Sequence, residues 1–425
     1  MKKLRTVAAR LIAAGTLATT GVLSAIDAQA QDADETTYLP YDGTMAWDES
    51  SFGKTFEGDD WRVTLRKMGT NETSRSVADI SREGGPSQLF DLFDGEYNPR
   101  GEIGLQPLTS DGQTLFLTYY SGGAHCCTSI VFFRERGGEI EKLDFGDYDG
   151  GGALFEDIDG DGTREIITVD QRFLYFFDSY AASLAPTRIH KLEPDGLQDV
   201  TDVQWYRPYL RKEYINDLNR LMNSQSNGDF DGSLPQGLVA GLIAEGAQLG
   251  VWRATAAMMP QDVLSGVRED WSLTCPSDVC SEEREFSTLN EALDTILPAW
   301  GYPREEPLPQ DVQAYFAPLF GSRFGSVHEN SELGCDLGPI AFSEGPDGAN
   351  VAYSAYESAC TFDKGSVGET TSMVEGLCSG EGMSWFGWFV FEHSGDTLRR
   401  TDWSSDPAQA LTSPRLSEFR RCPKN

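Results

Sequence analysis

Basic side chains are scarce in this 425-residue chain. Lys and Arg total 34 against 67 Asp and Glu, a formal net charge of −33 at pH 7. In the first thirty residues Lys2, Lys3, Arg5 and Arg10 stand against Asp27, so the remaining 395 carry −36 and only seven lysines. A surface of that sign excludes nucleic acid as a natural partner, because phosphate binding needs a basic face. It argues equally against docking on anionic lipid. Histidine is scarcer still: His125, His190, His328 and His393 are scattered, with no metal-ligand spacing. After the N-terminal stretch no apolar run approaches the ~20 residues of a membrane helix, so no membrane insertion is expected. There is no phosphate loop and no dinucleotide fingerprint. Gly376-Leu377-Cys378-Ser379-Gly380 has the form of a nucleophile elbow, but Gly382 and a β-like run follow it rather than a helix. Carboxylates are so abundant that no glycosidase pair stands out, and no catalytic residue can be named. What is present is 39% hydrophobic and 24% charged residues, the balance of a packed protein rather than a disordered one. The length suits about three domains.

The first thirty residues read as a secretory signal. A basic start precedes an apolar stretch, Leu11 to Ile26, and Ala28-Gln29-Ala30 is a small-residue cleavage box. The expectation is an exported protein, periplasmic or secreted, cut after Ala30. Export makes disulfide partners of the eight cysteines, Cys126, Cys127, Cys275, Cys280, Cys335, Cys360, Cys378 and Cys422. Sequence alone does not choose among their ~105 pairings. Local spacing suggests Cys275 with Cys280, Cys335 with Cys360, Cys378 with Cys422, and the neighbours Cys126 and Cys127 with each other.

Texture along the chain predicts a mixed, mainly β protein. Residues 31–205 carry short β-prone runs separated by Gly and Asp clusters: Trp61 to Arg66, Thr114 to Tyr120, Ser129 to Phe133, Glu165 to Asp170 and Phe173 to Phe177. An antiparallel β domain is expected there. Residues 206–325 read as helical. Tyr209 to Asn223, Pro235 to Leu249, Trp252 to Met259, Ser287 to Pro298 and Asp311 to Phe320 are the candidate helices. Residues 326–425 return to strands, with four cysteines in about a hundred residues, and predict a small disulfide-stapled barrel or sandwich.

The most informative string is Phe155-Glu156-Asp157-Ile158-Asp159-Gly160-Asp161-Gly162-Thr163-Arg164-Glu165. Asp157, Asp159 and Asp161 alternate, so a tight loop aims three carboxylates at one point. Gly162 permits the turn, Thr163 offers a backbone carbonyl, and Glu165 closes the cage. Hard oxygen ligands in a flexible loop suit Ca2+ better than Mg2+. The loop is not an EF-hand, because Thr168 stands where that motif needs a bidentate Glu. Strand, acidic loop and Glu165-Ile166-Ile167 resemble the FG-GAP repeat of integrin-type and related bacterial β-propellers, with Glu165 for the last Asp. The resemblance covers one repeat of about twenty-five residues. It implies a propeller-like fold for 31–205 and a calcium site with Asp157, Asp159, Asp161, Thr163 and Glu165 as ligands. Asn227-Gly228-Asp229-Phe230-Asp231-Gly232 is a weaker echo, read as a helix–helix loop.

Gly122-Gly123-Ala124-His125-Cys126-Cys127 resembles a motif that accompanies FG-GAP-like loops in exported bacterial proteins, and that names no activity. The segment allows three readings: a Cys–His nucleophile, a zinc or copper site, or an oxidised rigid turn. The first needs a reduced, electropositive setting, and three adjacent side chains do not surround one ion. The rigid turn is the expectation. Trp385 to Phe391 is the densest aromatic run, either a strand buried on both faces or a binding strip. The function expected is a calcium-binding, non-catalytic binding or scaffold role toward a protein or glycan outside the cytoplasm. The alternatives are an exported hydrolase of glycan or peptide, and an enzyme inhibitor acting through a last domain that resembles the exported lysozyme inhibitors.

Overall fold

The structure is a computed structural model that describes residues 36–41, 43–69, 75–94, 100–120, 127–149, 152–227, 234–327, 331–336, 338–345, 348–355, 357–404 and 415–423. The predicted leader and Cys126 lie outside the described residues.

The fold is mainly β. Strands β1 (Thr36–Tyr38), β2 (Gly43–Trp47), β3 (Thr55–Gly58), β4 (Trp61–Met68), β5 (Arg75–Arg82), β6 (Gln88–Asp94), β7 (Gly101–Thr109), β8 (Gly112–Tyr120), β9 (Thr128–Arg136), β10 (Glu139–Tyr148), β11 (Leu154–Glu156), β12 (Glu165–Val169), β13 (Thr187–Glu193) and β14 (Gly196–Asp199) come first. They form three sheets, ordered β1-β3-β4-β5-β6, β10-β9-β8-β7-β2 and β11-β12-β13-β14. Alternation along the middle sheet explains the stacking. Leu115, Leu117, Val131 and Phe133 face the first sheet and share a core with Trp61, Val63, Leu65 and Ile80. Phe116, Ile130 and Phe132 face the other way and meet Ile166 and Leu192 of the third sheet. A sheet covered on both faces reads as the near-continuous apolar runs seen in β8 and β9. Phe173 to Phe177, expected as a strand, begins instead with a 3-10 turn at Gln171–Phe173. Phe173 and Phe177 lie four residues apart across an irregular turn and are both fully buried.

Helices follow: α1 (Arg207–Asn227), α2 (Gln236–Leu249), α3 (Trp252–Met258), α4 (Gln261–Leu264), α5 (Leu289–Ala299) and α6 (Gln310–Phe316). In α1 the buried residues Leu210, Tyr214, Leu218 and Leu221 recur at helical spacing and enter the core shared with α2 and α5. Most of α2 is buried. It packs so closely on the chain at 182–184 that a Cβ on Gly241 would collide with the Leu184 carbonyl. Third sheet and helices are tied by Asp170, which accepts hydrogen bonds from Arg172, from Arg188 at 3.0 Å and from the Tyr302 hydroxyl at 2.8 Å.

Between α1 and α2 lies a buried acid. Glu245 is 4% exposed, its Oε2 lacks a partner among the described residues, and burial followed by the charges of Asp217 and Glu213 pushes its carboxyl well above the usual range. An acid held neutral by the fold stabilises below its unfolded value and loses that contribution as pH rises. Glu245→Gln keeps the shape and the hydrogen-bond donor. Its melting temperature is expected to exceed wild type at pH 7–8, with the gain shrinking toward pH 4. A gain that is flat with pH, or largest at pH 4, would contradict this.

A closed barrel ends the chain, β15 (Arg323–Ser326), β16 (Ile340–Glu344), β17 (Val351–Ala355), β18 (Ser358–Val367), β19 (Thr371–Gly380), β20 (Met383–Ser394), β21 (Thr397–Ser404) and β22 (Arg415–Arg421), with short α7 (Ser331–Asp336) after β15. Of barrel and sandwich, the structure has the barrel. Its interior holds Phe324, Phe342, Tyr353, Phe362, Phe389 and Phe391, together with Val312 and Phe316 of α6. The helix before the barrel thus belongs to its core, and the division placed at 325–326 falls within β15. In the aromatic strand Phe389 and Phe391 point inward, while Phe386 joins the helical core beside Tyr214. It is a strand covered on both sides, not a binding strip.

Cys275–Cys280 forms as spacing suggested. The other two proposed pairs do not: Cys335 bonds Cys422, and Cys360 bonds Cys378. Strand pairing is the reason. The β18–β19 ladder sets Cys360 directly across from Cys378, and barrel closure brings the end of β22 back to β15. Cys127 is disulfide-bonded; the expected partner, Cys126, lies outside the described residues.

Candidate functional site

The acidic loop joins β11 to β12, and its conformation is set by its own side chains. Asp157 accepts the backbone N–H of Gly160 at 2.8 Å and of Gly162 at 3.2 Å. Asp159 accepts that of Asp161 at 3.1 Å. Both glycines take positive φ, 76° at Gly160 and 89° at Gly162, which L side chains adopt at a cost. Such Asx-type turns explain why the spacing Asp-x-Asp-x-Asp-Gly folds into a compact loop.

Three of the five expected ligands converge. Carboxylate oxygens of Asp157, Asp159 and Glu165 lie within 4.8 Å of one another. Glu165 is fully buried and accepts the Ile158 N–H at 2.8 Å through Oε2. Asp161 is drawn aside. Its Oδ1 accepts the Thr163 N–H at 2.7 Å and hydroxyl at 2.6 Å, and its Oδ2 meets Lys191 Nζ at 2.6 Å. The Lys191 and Thr163 hydrogen bonds hold the Asp161 carboxyl down at about 2.

Two residues that the sequence did not flag complete the site. Lys191, on β13, places its ammonium 3.3 Å from Asp159, 2.6 Å from Asp161 and 3.3 Å from Glu165. Burial alone would lower its pKa, but the bonds to Asp161 and Glu165 outweigh burial and raise it. Tyr206 donates its hydroxyl toward Asp159 at 3.3 Å and Glu165 at 3.2 Å. Burial first, then the Glu165 charge, lifts the phenol above its ordinary value. The only sequence signal for Lys191 was the rarity of lysine. Tyr206 is reached through a turn that no spacing announces. Next to it Trp205 is 78% exposed.

The loop is thus a carboxylate cluster with one tethered cation. Chemically it offers hard oxygen donors. His190, one strand over, bonds Thr168 at 3.2 Å, sits beside the Phe145 ring, and is lowered by burial, an ordinary core histidine.

The comparisons give relatives but no family. The chain is 29% identical over 201 residues to a probable thylakoid lumen protein of Synechocystis, a match covering 44% of this chain and 56% of that protein. It is 37% identical over 111 residues to an uncharacterized protein of Sinorhizobium fredii, covering 26% of this chain and 18% of the relative. The chain therefore spans about half the length of the first relative and less than a fifth of the second. No family model and no solved structure matches.

Proposed function

We propose that the chain is an exported or lumenal, non-catalytic binding or scaffold protein whose FG-GAP-like loop takes up Ca2+. The observation that carries this is the convergence of Asp157, Asp159 and Glu165 oxygens within 4.8 Å. The loop joins two strands of a four-stranded antiparallel sheet, the size of a propeller blade, which supports the FG-GAP reading. The disulfides Cys275–Cys280, Cys335–Cys422 and Cys360–Cys378 among the described residues support an oxidising compartment, as does the relative named for the thylakoid lumen. No helix among the described residues is long and apolar enough to cross a membrane. Asp157, Asp159 and Glu165 would hold the ion, joined by Asp161 and the Thr163 carbonyl once Lys191 gives way. Bound Ca2+ supplies the charge that stiffens the loop; a binding surface built on β11–β14 would then be steady enough to hold a protein or glycan ligand.

Lys191 makes the test decisive, because it neutralises the same oxygens. Ca2+ at about a hundred times its dissociation constant is expected to stabilise wild type by ~2.7 kcal/mol, read as a rise in melting temperature over a chelator control. Asp159→Ala should abolish that rise. Lys191→Met should be weaker than wild type in chelator, by about 2 kcal/mol, and recover in Ca2+. If neither wild type nor Lys191→Met responds to Ca2+, lysine is the loop's only counter-ion and the calcium reading fails.

A further inference from the structure

We propose that the cleft between α3, α4 and the start of α5 binds a monosaccharide-sized polyol carrying one carboxylate, of the uronic acid class. The cleft encloses about 480 Å³, within the range of small-molecule sites. In a chain of net charge −33, Arg253 and Arg304 line it and no Asp or Glu does. Its floor is apolar, with the buried side chains of Trp252 and Leu264.

The wall is rich in unspent donors. Arg304 stacks over the Trp252 ring at 5.0 Å and uses Nη2 on Asp294, while its other nitrogens have no partner among the described residues. Thr288 caps α5 by accepting the Glu291 N–H at 3.1 Å, so its hydroxyl hydrogen stays free. The side chains of Gln261 and Ser265 make no hydrogen bond among the described residues, and both are exposed to the cleft. The positive end of an 11-residue helix stands behind them. Donors converging on one space call for an oxyanion. Asn350 closes one side of the cleft: it is 2% exposed and is held in place by its Nδ2, which donates to Asp363 at 2.8 Å. One carboxylate fits better than a phosphate, because each guanidinium is already shared, Arg304 with Asp294 and Arg253 with Glu305 at 3.6 Å. Amides, hydroxyls and an apolar floor together suit the hydroxyls and C–H face of a sugar ring. The inference goes beyond the calcium loop and does not depend on it.

Calorimetric titration of the full chain with glucuronate and galacturonate tests the proposal, with glucose and glucose 6-phosphate as comparisons. Saturable binding of a uronate is expected, at least about tenfold tighter than glucose or the phosphate ester. Arg304→Met should weaken it at least about tenfold and Arg304→Lys less. Arg304 also packs on Trp252, so Gln261→Ala and Ser265→Ala serve as variants that leave the melting temperature unchanged and still weaken binding. Three results would each overturn the site: no saturable uronate binding up to ~20 mM, glucose or its phosphate binding as tightly, or all four variants binding like wild type.

Discussion

Asp170→Ala is expected to lower stability by about 3 kcal/mol at pH 7, measured by urea unfolding. Asp170 leaves β12 for a position where its carboxylate is only 6% exposed and joins Arg172, Arg188 and the Tyr302 hydroxyl. Each arginine also lies against a ring, Arg172 over Trp300 at 5.0 Å and Arg188 over Tyr302 at 4.8 Å, so the variant leaves two oriented guanidiniums with only the 3.4 Å contact from Arg188 to Asp199 as counter-charge among the described residues. Removing one member of such a cluster costs more than the pair contributes, because the remaining charges stay partly desolvated. The pH dependence follows. Burial by itself would raise the Asp170 carboxyl, but the bonds from Arg172, Tyr302 and Arg188 overcome burial and bring it to about 2. A folded value below the unfolded one gives stability that is full above the unfolded value, near 3.8, and is lost as pH falls toward about 2. The gap between wild type and Asp170→Ala should therefore be constant from pH 5 to 7 and narrow between pH 4 and 2. A gap under about 1 kcal/mol at pH 7 would show that the arginines find water or other acids instead.

The Asp170 cluster also marks where sequence reading reached and where it stopped. Glu165 to Asp170 read correctly as β-prone because Ile166, Ile167 and Val169 carry local propensity. That Asp170 gathers partners from residues 172, 188 and 302 is a product of tertiary packing, which no local pattern encodes. The same division holds at the acidic loop. Alternating Asp and the two Gly announce a tight carboxylate turn on their own, and Asp157, Asp159 and Glu165 do converge. Lys191 enters from a different strand, through the β12–β13 pairing that sets Ile166 opposite His190. Helices α1 and α2 were legible from the 3.6-residue recurrence of Leu210, Tyr214 and Leu218 and from the apolar run after Pro235. The three-layer arrangement of the sheets was not, because period-two alternation assigns faces to a strand and does not say which sheet covers them.

The disulfides are where local reasoning failed most plainly, and they carry the second large effect. Removing Cys335–Cys422 by a double Cys→Ala change is expected to cost about 4–5 kcal/mol, against about 3 for Cys360–Cys378 and about 2 for Cys275–Cys280. The order follows the sequence separations of 87, 18 and 5, since a cross-link restricts the unfolded chain more when it closes a longer loop. Native contacts act in the same direction. Cys360 and Cys378 already face each other in a ladder that holds them without the bond. Cys422 follows β22 at the barrel's closing seam, where its N–H donates to the Arg323 carbonyl at 2.7 Å. That seam joins a four-residue strand, β15, to the last strand of the chain, and the bond pins α7 across it. Without the bond the seam should open first, so amides of β22 should lose hydrogen-exchange protection before those of β18 and β19. Denaturation of the three double variants checks the order, and exchange in the Cys335/Cys422 variant checks the seam. A larger loss on removing Cys360–Cys378 would mean that packing of the buried sulfurs, rather than the length of chain they close, sets how much each bond contributes.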